Sequence, residues 1–275
     1  MRDLRKTKTV GIIYKDNVDL KKELEYLKNC LEEKGIKVLV DVNRNGIFDE
    51  NIIKSSDFLI SLGGDGNLIT LCRKASYHSR PVLGVYAGKL GFLSAVRVDE
   101  FGGFLEELLK DNYQLVRPFL LSVEIVKGDE SLQKFAFNDA ALLRNSNFKM
   151  AKIDAYINGK LFNSYNADGL ILATPAGSTA YNVSAGGPII YPLSQAFALT
   201  PICSHSLTQR PIILPQGFFV DLFAQNCSFN IDGQEYFQDF DFLRIGLSKK
   251  SSLLLAPKEQ DYFQTLREKL GWGER

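Results

Sequence analysis

Phe58-Leu59-Ile60-Ser61-Leu62-Gly63-Gly64-Asp65-Gly66-Asn67-Leu68-Ile69-Thr70-Leu71-Cys72 decides how the 275-residue chain is read. Phe58-Leu59-Ile60 is an apolar run that reads as a buried strand continuing to Leu62, and Leu68 to Cys72 read as the first turns of a helix. Three glycines bracketing one aspartate between a strand and a helix suit phosphate chemistry. Glycine lacks Cβ and tolerates φ > 0, so backbone N–H groups can converge on an anion. The helix N-terminus adds its dipole and free donors. A carboxylate where anions bind is the odd part. Asp65 is a metal ligand, a base aimed at a hydroxyl, or the cap of a tight strand-to-helix turn.

The flanks repeat the alternation of strand and helix. Thr9 to Tyr14 is a strand. Val18 to Lys34 carries Leu20, Leu24, Leu27 and Leu31 at helical spacing, with Gly35 where a C-cap belongs. Ile36 to Val42 is a second strand, and Asn43 to Lys54, polar and glycine-containing, is expected to be a mobile loop. Pro81 to Tyr86 is a fourth strand, and Val98 to Leu109 a closing helix. The alternation predicts a parallel sheet with helices on both faces. Ligands in such sheets sit beyond the C-terminal strand ends. Asp65 lies at one such end and Ala87-Gly88-Lys89-Leu90-Gly91-Phe92 at another. The second loop reads equally as a plain turn.

Near Asn112 to Arg117 the pattern changes. Leu115 to Val126, Phe135 to Leu143, Ile153 to Phe162 with its Asn158-Gly159 hairpin signal, Leu170 to Thr174, Ile212 to Leu214, Phe218 to Phe223, Ser228 to Ile231, Phe242 to Leu247 and Ser252 to Leu255 read as strands. Tyr262 to Trp272 is helical again. The expected fold is α+β in two domains. Residues 1–115 form a Rossmann-like parallel-sheet domain and 116–256 an all-β sandwich. Residues 257–275 form a helical tail packing back on the first domain.

Composition narrows the classes of function. A formal net charge of +1 gives no electrostatic case for nucleic acid or a membrane surface. Cys30, Cys72, Cys203 and Cys227 are far apart without a CxxC, so buried thiols are expected rather than disulfides or metal ligands. Two histidines, His78 and His205, make a His-rich metal site and a serine–histidine dyad improbable. A charged start leading into a strand shows no signal peptide, and no apolar run reaches membrane-spanning length. The expectation is a cytoplasmic protein.

The densest chemistry lies in Asp168 to Pro188, where a strand runs into a segment of small residues. Thr174, Ser178, Thr179 and Ser184 supply short donors and acceptors, and Tyr181 offers a flat face for a base or ring. Asn138-Asp139 interrupts an apolar run, where adjacent polar side chains are costly without partners. An amide beside a carboxylate can read the hydroxyls of a ribose; a strand end or bulge explains the pair as well. Ile231-Asp232-Gly233-Gln234 reads only as a hairpin turn.

These residues resemble the bacterial ATP-dependent NAD kinase family. The likeness rests on Gly63 to Asn67, Leu90-Gly91-Phe92, Asn138-Asp139, Asp168-Gly169 through Gly186-Gly187-Pro188, Asp232-Gly233-Gln234 and the tail Tyr262-Phe263 to Leu270-Gly271-Trp272. It spans nearly the whole chain. Phosphofructokinases and lipid kinases share the glycine–aspartate motif, whereas the stretch from Asp168 to Pro188 is specific. The resemblance implies transfer of the ATP γ-phosphoryl group to the adenosine-ribose 2′-hydroxyl of NAD, making NADP. It implies that Asp65 is the general base and that Gly66 touches phosphate. It places Asn138 and Asp139 at ribose and adenine groups, and Asp168, Thr179, Ala180, Tyr181, Asn182, Val183 and Ser184 around the dinucleotide. Lys149, Asn166 and Gln234 match further ligand positions. It also implies a divalent metal, Mg or Mn, with ATP, and a homotetramer or homodimer. Asp139 stands where Glu is commoner, Ala176 where Thr or Ser is usual, and Asn166 where many members have Arg.

Other classes fit less of the chain. A lipid or sugar kinase shares only the glycine–aspartate element. A phosphofructokinase needs a second α/β half, and a non-catalytic dinucleotide sensor could lose Asp65.

Overall fold

The central strands of the first sheet are apolar on both faces, which is why they read as unbroken runs. The computed structural model describes residues 3–16, 19–88, 91–93, 95–145, 149–259 and 261–271. Their contacts divide into two units, Met1–Arg117 with Ser252–Arg275, and Pro118–Ser251.

The first unit runs β1 (Thr9–Lys15), α1 (Lys21–Glu32), β2 (Lys37–Asn43), α2 (Asn51–Ser55), β3 (Phe58–Leu62), α3 (Asp65–Ser76), β4 (Val82–Tyr86), β5 (Val96–Arg97), α4 (Phe101–Leu109) and β6 (Gln114–Val116). Every residue of β3 and β4 is buried. β1 pairs in parallel with β2 and β3, and β3 with β4. On one face Leu27 and Leu31 of α1 and Phe101, Leu105 and Leu108 of α4 pack with Val10, Ile12, Phe58, Ile60 and Val85. The stretch 43–54, expected as a mobile loop, instead holds a tight turn closed by an Arg44–Ile47 bridge and then α2. Ile52 and Ile53 are buried there, and five residues are too few to show a helical period.

The second unit holds β7 (Phe119–Lys127), β8 (Glu130–Ala136), β9 (Asp139–Arg144), β10 (Ala151–Ile157), β11 (Lys160–Ala167), β12 (Gly169–Ala173), α5 (Tyr181–Ser184), β13 (Ala196–Ile202), β14 (Ile212–Pro215), β15 (Phe219–Gln225), β16 (Cys227–Ile231), β17 (Glu235–Phe237) and β18 (Phe242–Ser251). They form two six-stranded sheets, β11-β10-β15-β18-β7-β8 and β14-β13-β12-β9-β16-β17. Alternate residues of both sheets, among them Val123, Ile153, Tyr165, Leu172, Phe197, Leu222, Phe229 and Ile245, fill one shared core. The second sheet buries its other face too, with Ala141, Ile171, Ala173 and Ala198 under Ile190.

The chain then returns to the first unit as β19 (Leu254–Ala256) and α6 (Tyr262–Leu270). β19 pairs in parallel with β4 and antiparallel with β6, completing the order β2-β1-β3-β4-β19-β6, with β5 on β4. Asp261 caps α6 through Phe263 N–H at 2.8 Å, and Gly271 ends it at φ 63°. Trp272, counted in the tail helix, lies outside the described residues.

Several elements differ from expectation. The run Leu115 to Val126 is two strands, β6 in the first unit and β7 in the second, parted at Arg117-Pro118. The run Phe135 to Leu143 is β8 and β9, broken at Phe137-Asn138. The contact division returns to the first unit at Ser252, ahead of the expected 257, because β19 belongs to the first sheet. Cys203 is exposed rather than buried.

Candidate active site

In the first unit β3 hands the chain to α3 through Gly63 and Gly64. Gly63 holds φ 143°, which favours glycine, and Gly64 is the N-cap. Asp65 is the first helical residue, half-buried between exposed Gly64 and Gly66. Its Oδ2 accepts a hydrogen bond from Phe92 N–H at 2.7 Å. Gly91 lies flush against the same carboxylate: an added Cβ would sit 2.0 Å from Oδ1. The two glycine-containing loops therefore meet at Asp65. Lys89 and Leu90 of the second loop lie outside the described residues.

Asn67, two residues on, fixes this turn from below. Its Nδ2 donates to Ile13 O at 2.9 Å and Ser61 Oγ at 2.8 Å, and its Oδ1 accepts from Asn43 Nδ2 at 2.8 Å. A buried amide with both ends satisfied ties β1, β2 and β3 to the start of α3. The sequence reading missed this role, and the apolar company of Leu68 and Ile69 is the signal that marks Asn67 as interior.

In the second unit Asn138 stands in the break between β8 and β9, and Asp139 opens β9 opposite Ala173. Asp232, in the turn between β16 and β17, accepts three consecutive backbone N–H groups there. Phe137 donates to Oδ2 at 2.9 Å; Asn138 and Asp139 donate to Oδ1 at 2.7 and 3.0 Å. From the end of β12 Thr174 donates its hydroxyl to Phe137 O at 2.7 Å and its N–H to Asn138 O at 2.8 Å. Asn138 Oδ1 is buried without a hydrogen-bond partner among the described residues. Burial, with the Asp232 carboxylate adding to it, pushes the Asp139 carboxyl up to about 7.

The segment after Thr174 is a short 3-10 helix (Ala176–Thr179) followed by α5. Ser178 Oγ donates to Pro175 O and accepts from Ile190 N–H at 2.9 Å. Asn182 is fully buried. Its Nδ2 donates to Ser178 O and Pro188 O, and its Oδ1 accepts from Thr200 Oγ1 at 2.7 Å. Ser178 and Asn182 thus bind the segment to itself and to β13. Thr179, Ala180 and Val183 are half-buried, whereas Tyr181 and Ser184 are exposed. Burial raises the Tyr181 hydroxyl above its ordinary value, with Asp139, Cys203 and Asp168 adding in that order.

The remaining candidates divide. Gln234 follows Asp232 in the β16–β17 turn, its N–H donating to Ile231 O at 2.9 Å. Asp168 lies at the far end of β12, about 17 Å along the strand from Ala173, and pairs with Arg144 Nε at 3.1 Å. Asn166 is exposed on β11 and borders a 510 Å³ hollow with Lys152, Asp154, Ser164 and Phe223. Lys149 is exposed ahead of β10. Asp232 ties the Asn138-Asp139 backbone, Gly177 packs against Asn138, and Tyr181 lies in electrostatic reach of both Asp139 and Asp168. Among the described residues no three His, Cys, Asp or Glu side chains cluster as a metal site, and no helix is long and apolar enough to cross a membrane.

Residues 15–113 match the family model for the ATP-NAD kinase N-terminal domain, and residues 137–253 the model for the ATP-NAD kinase C-terminal domain. The chain belongs to the NAD kinase family. An NAD kinase of Campylobacter jejuni is 47% identical over 280 residues, covering 98% of each chain. One of Wolinella succinogenes is 40% identical over 287 residues, covering 100% of this chain and 99% of that one. Among solved structures, yeast NADH kinase complexed with NADH aligns with TM-score 0.87 at 25% identity, over 98% of this chain and 89% of that one. An Archaeoglobus fulgidus NAD kinase in complex with ATP aligns with TM-score 0.79 at 24% identity, over 96% of this chain and 98% of that one, and shares the fold. The chain is therefore an enzyme of NAD kinase activity, a transferase that phosphorylates NAD from ATP. An ATP-dependent kinase works in general with a divalent metal ion.

Proposed function

We propose that Asp65 is the general base of this NAD kinase. It accepts the proton of the adenosine-ribose 2′-hydroxyl as that oxygen bonds to the γ-phosphorus of ATP. A ribose hydroxyl is a poor nucleophile at neutral pH, and a carboxylate in hydrogen-bond reach removes its proton as the P–O bond forms. The observation that carries the reading is the pose of Asp65. One carboxylate oxygen is held by Phe92 N–H, Gly91 shapes its pocket, and Gly64 and Gly66 on either side are exposed.

The metal, Mg or Mn, enters with ATP as part of the substrate and offsets triphosphate charge. The single carboxylate at this turn suits a metal carried by phosphates. Gly66 N–H and its neighbours hold the transferred phosphoryl oxygens. Asn138, Asp139, Tyr181 and the backbone of Thr179 to Ser184 hold NAD, with Asp168, Asn166, Lys149 and Gln234 as further contacts. Exposed Phe219 and Phe223, on one face of β15, support self-association into a homodimer or homotetramer. The enzyme works in the cytoplasm, without nucleic acid or membrane partners.

The test is Asp65→Asn, assayed for NADP formation from NAD, ATP and Mg²⁺, with NAD affinity measured by calorimetry. Turnover is expected to fall by about two to four orders of magnitude while NAD still binds. Near-normal turnover rejects Asp65 as the base.

A further inference from the structure

The three-residue turn between β16 and β17, Asp232 to Gln234, needs at its first two positions only side chains that tolerate left-handed φ. Asp232 and Gly233 have φ 54° and 63°, and asparagine serves such a turn as well as aspartate. The turn therefore does not explain the carboxylate. The three N–H groups that it accepts do. They belong to consecutive residues, Phe137, Asn138 and Asp139, at a break where no strand ladder is available to all of them. One carboxylate can satisfy three donors; an amide has a single accepting oxygen. Asp232 N–H also donates to Asp139 O at 2.9 Å, so the two segments are tied in both directions.

The opposite side of the same peptide is held as firmly. Thr174 takes the carbonyls of Phe137 and Asn138, and its hydroxyl accepts from Gly177 N–H at 2.9 Å. Gly177 lies so close that an added Cβ would sit 2.1 Å from Asn138 O. Both backbone polar groups of Asn138 are thus engaged, and the backbone cannot shift to bring Oδ1 to a donor of the protein. A buried carbonyl oxygen without a donor is costly. The bonds on either side fix the Asn138 backbone, and with it the direction in which the side chain leaves the chain.

We propose that Asp232 is a positioning residue for the dinucleotide: its carboxylate locks the Asn138-Asp139 backbone so that the half-buried Asn138 side chain is held in place for bound NAD. The proposal rests on the reading of Asn138 as an NAD ligand. Asp232 touches no substrate and acts through Asn138.

Steady-state kinetics of the full-length enzyme test it. In Asp232→Asn one oxygen remains for Asn138 and Asp139 N–H, while an amide N–H confronts Phe137 N–H. The KM for NAD is expected to rise about tenfold, the equivalent of one charge-assisted hydrogen bond. The kcat and the KM for ATP stay near wild type, the signature of lost ground-state binding. Asp232→Ala raises the KM for NAD further. Where Asp232→Ala does not fold, Asp232→Asn, matched to wild type by its melting curve, carries the test. The double variant Asp232→Asn/Asn138→Ala is expected to be no weaker for NAD than Asn138→Ala alone, because the two act in series. An unchanged KM for NAD in Asp232→Asn, or additive losses in the double variant, overturns the positioning role. If Asn138→Ala itself leaves the KM for NAD unchanged, it is the ligand reading of Asn138 that fails.

Discussion

Gly91 sits against the carboxylate of Asp65 so closely that a methyl group at its Cα would lie 2.0 Å from Oδ1. The next residue, Phe92, donates its N–H to Oδ2 of the same carboxylate at 2.7 Å. One loop therefore both shapes the space for Asp65 and orients it. Gly91→Ala is expected to displace the carboxylate and lower kcat about a hundredfold, the usual cost of an ångström of misplacement. The melting temperature should change little, since Gly91 is half-exposed. Rapid-quench measurement of the chemical step checks this; an unaltered rate would mean that the pose of Asp65 does not matter.

Thr200 is the one polar residue in the buried stretch Phe197 to Pro201, and its hydroxyl donates to Asn182 Oδ1 at 2.7 Å. Thr200→Val keeps the shape and leaves that amide oxygen buried without its donor. The expected cost is about 1–3 kcal/mol, seen as a melting temperature lower by several degrees. The segment from Ala176 to Pro188 should become easier to cleave in limited proteolysis. Unchanged melting and cleavage would show that Asn182 does not fasten it.

The buried Asp139 carboxyl, raised to about 7 against an ordinary 3.8, makes stability depend on pH. Its folded-state value lies above its unfolded one, so the folded protein holds the proton more tightly. Its contribution is full below about pH 4 and is lost as pH rises toward about 7, at a rate set by the difference in protons bound. Asp139→Asn is expected to remove this part of the slope between pH 4 and 7, leaving the variant relatively more stable at pH 8. Urea titrations at several pH values measure it; parallel profiles for both proteins would be the contrary result.

Much of this was legible from local pattern. β3 and β4 are buried on both faces, so continuous apolar runs identified them, and the glycines around Asp65 marked the strand-to-helix turn. What was not legible depended on partners distant in sequence. Ala196 to Ile202 ends in Pro201-Ile202, shows no alternation because both faces of its sheet are covered, and went unseen as β13. Ser252 to Leu255 reads as one more strand, and nothing local says that the strand found there, β19, pairs with β4 rather than with β18. In the site, Asn138 and Asp139 were conspicuous because they interrupt apolar sequence. Asp232 was not, since an Asp-Gly turn needs no further explanation until the three N–H groups it accepts, 93 to 95 residues away, are seen.

β6 joins the first sheet only through β19, which stands between it and β4. The residues between them in sequence, Pro118 to Ser251, are a self-contained unit. The sheet carrying Asp65 therefore lacks an inner strand until chain beyond the whole inserted unit is in place. The inserted β unit can close from one continuous stretch of chain, whereas the first sheet closes only when both of its separated stretches are present. A chain released before Leu254 would keep every strand of the β unit and lack the one strand that joins β4 to β6, so the completeness of the Asp65 sheet depends on residues that lie beyond an entire second unit in sequence.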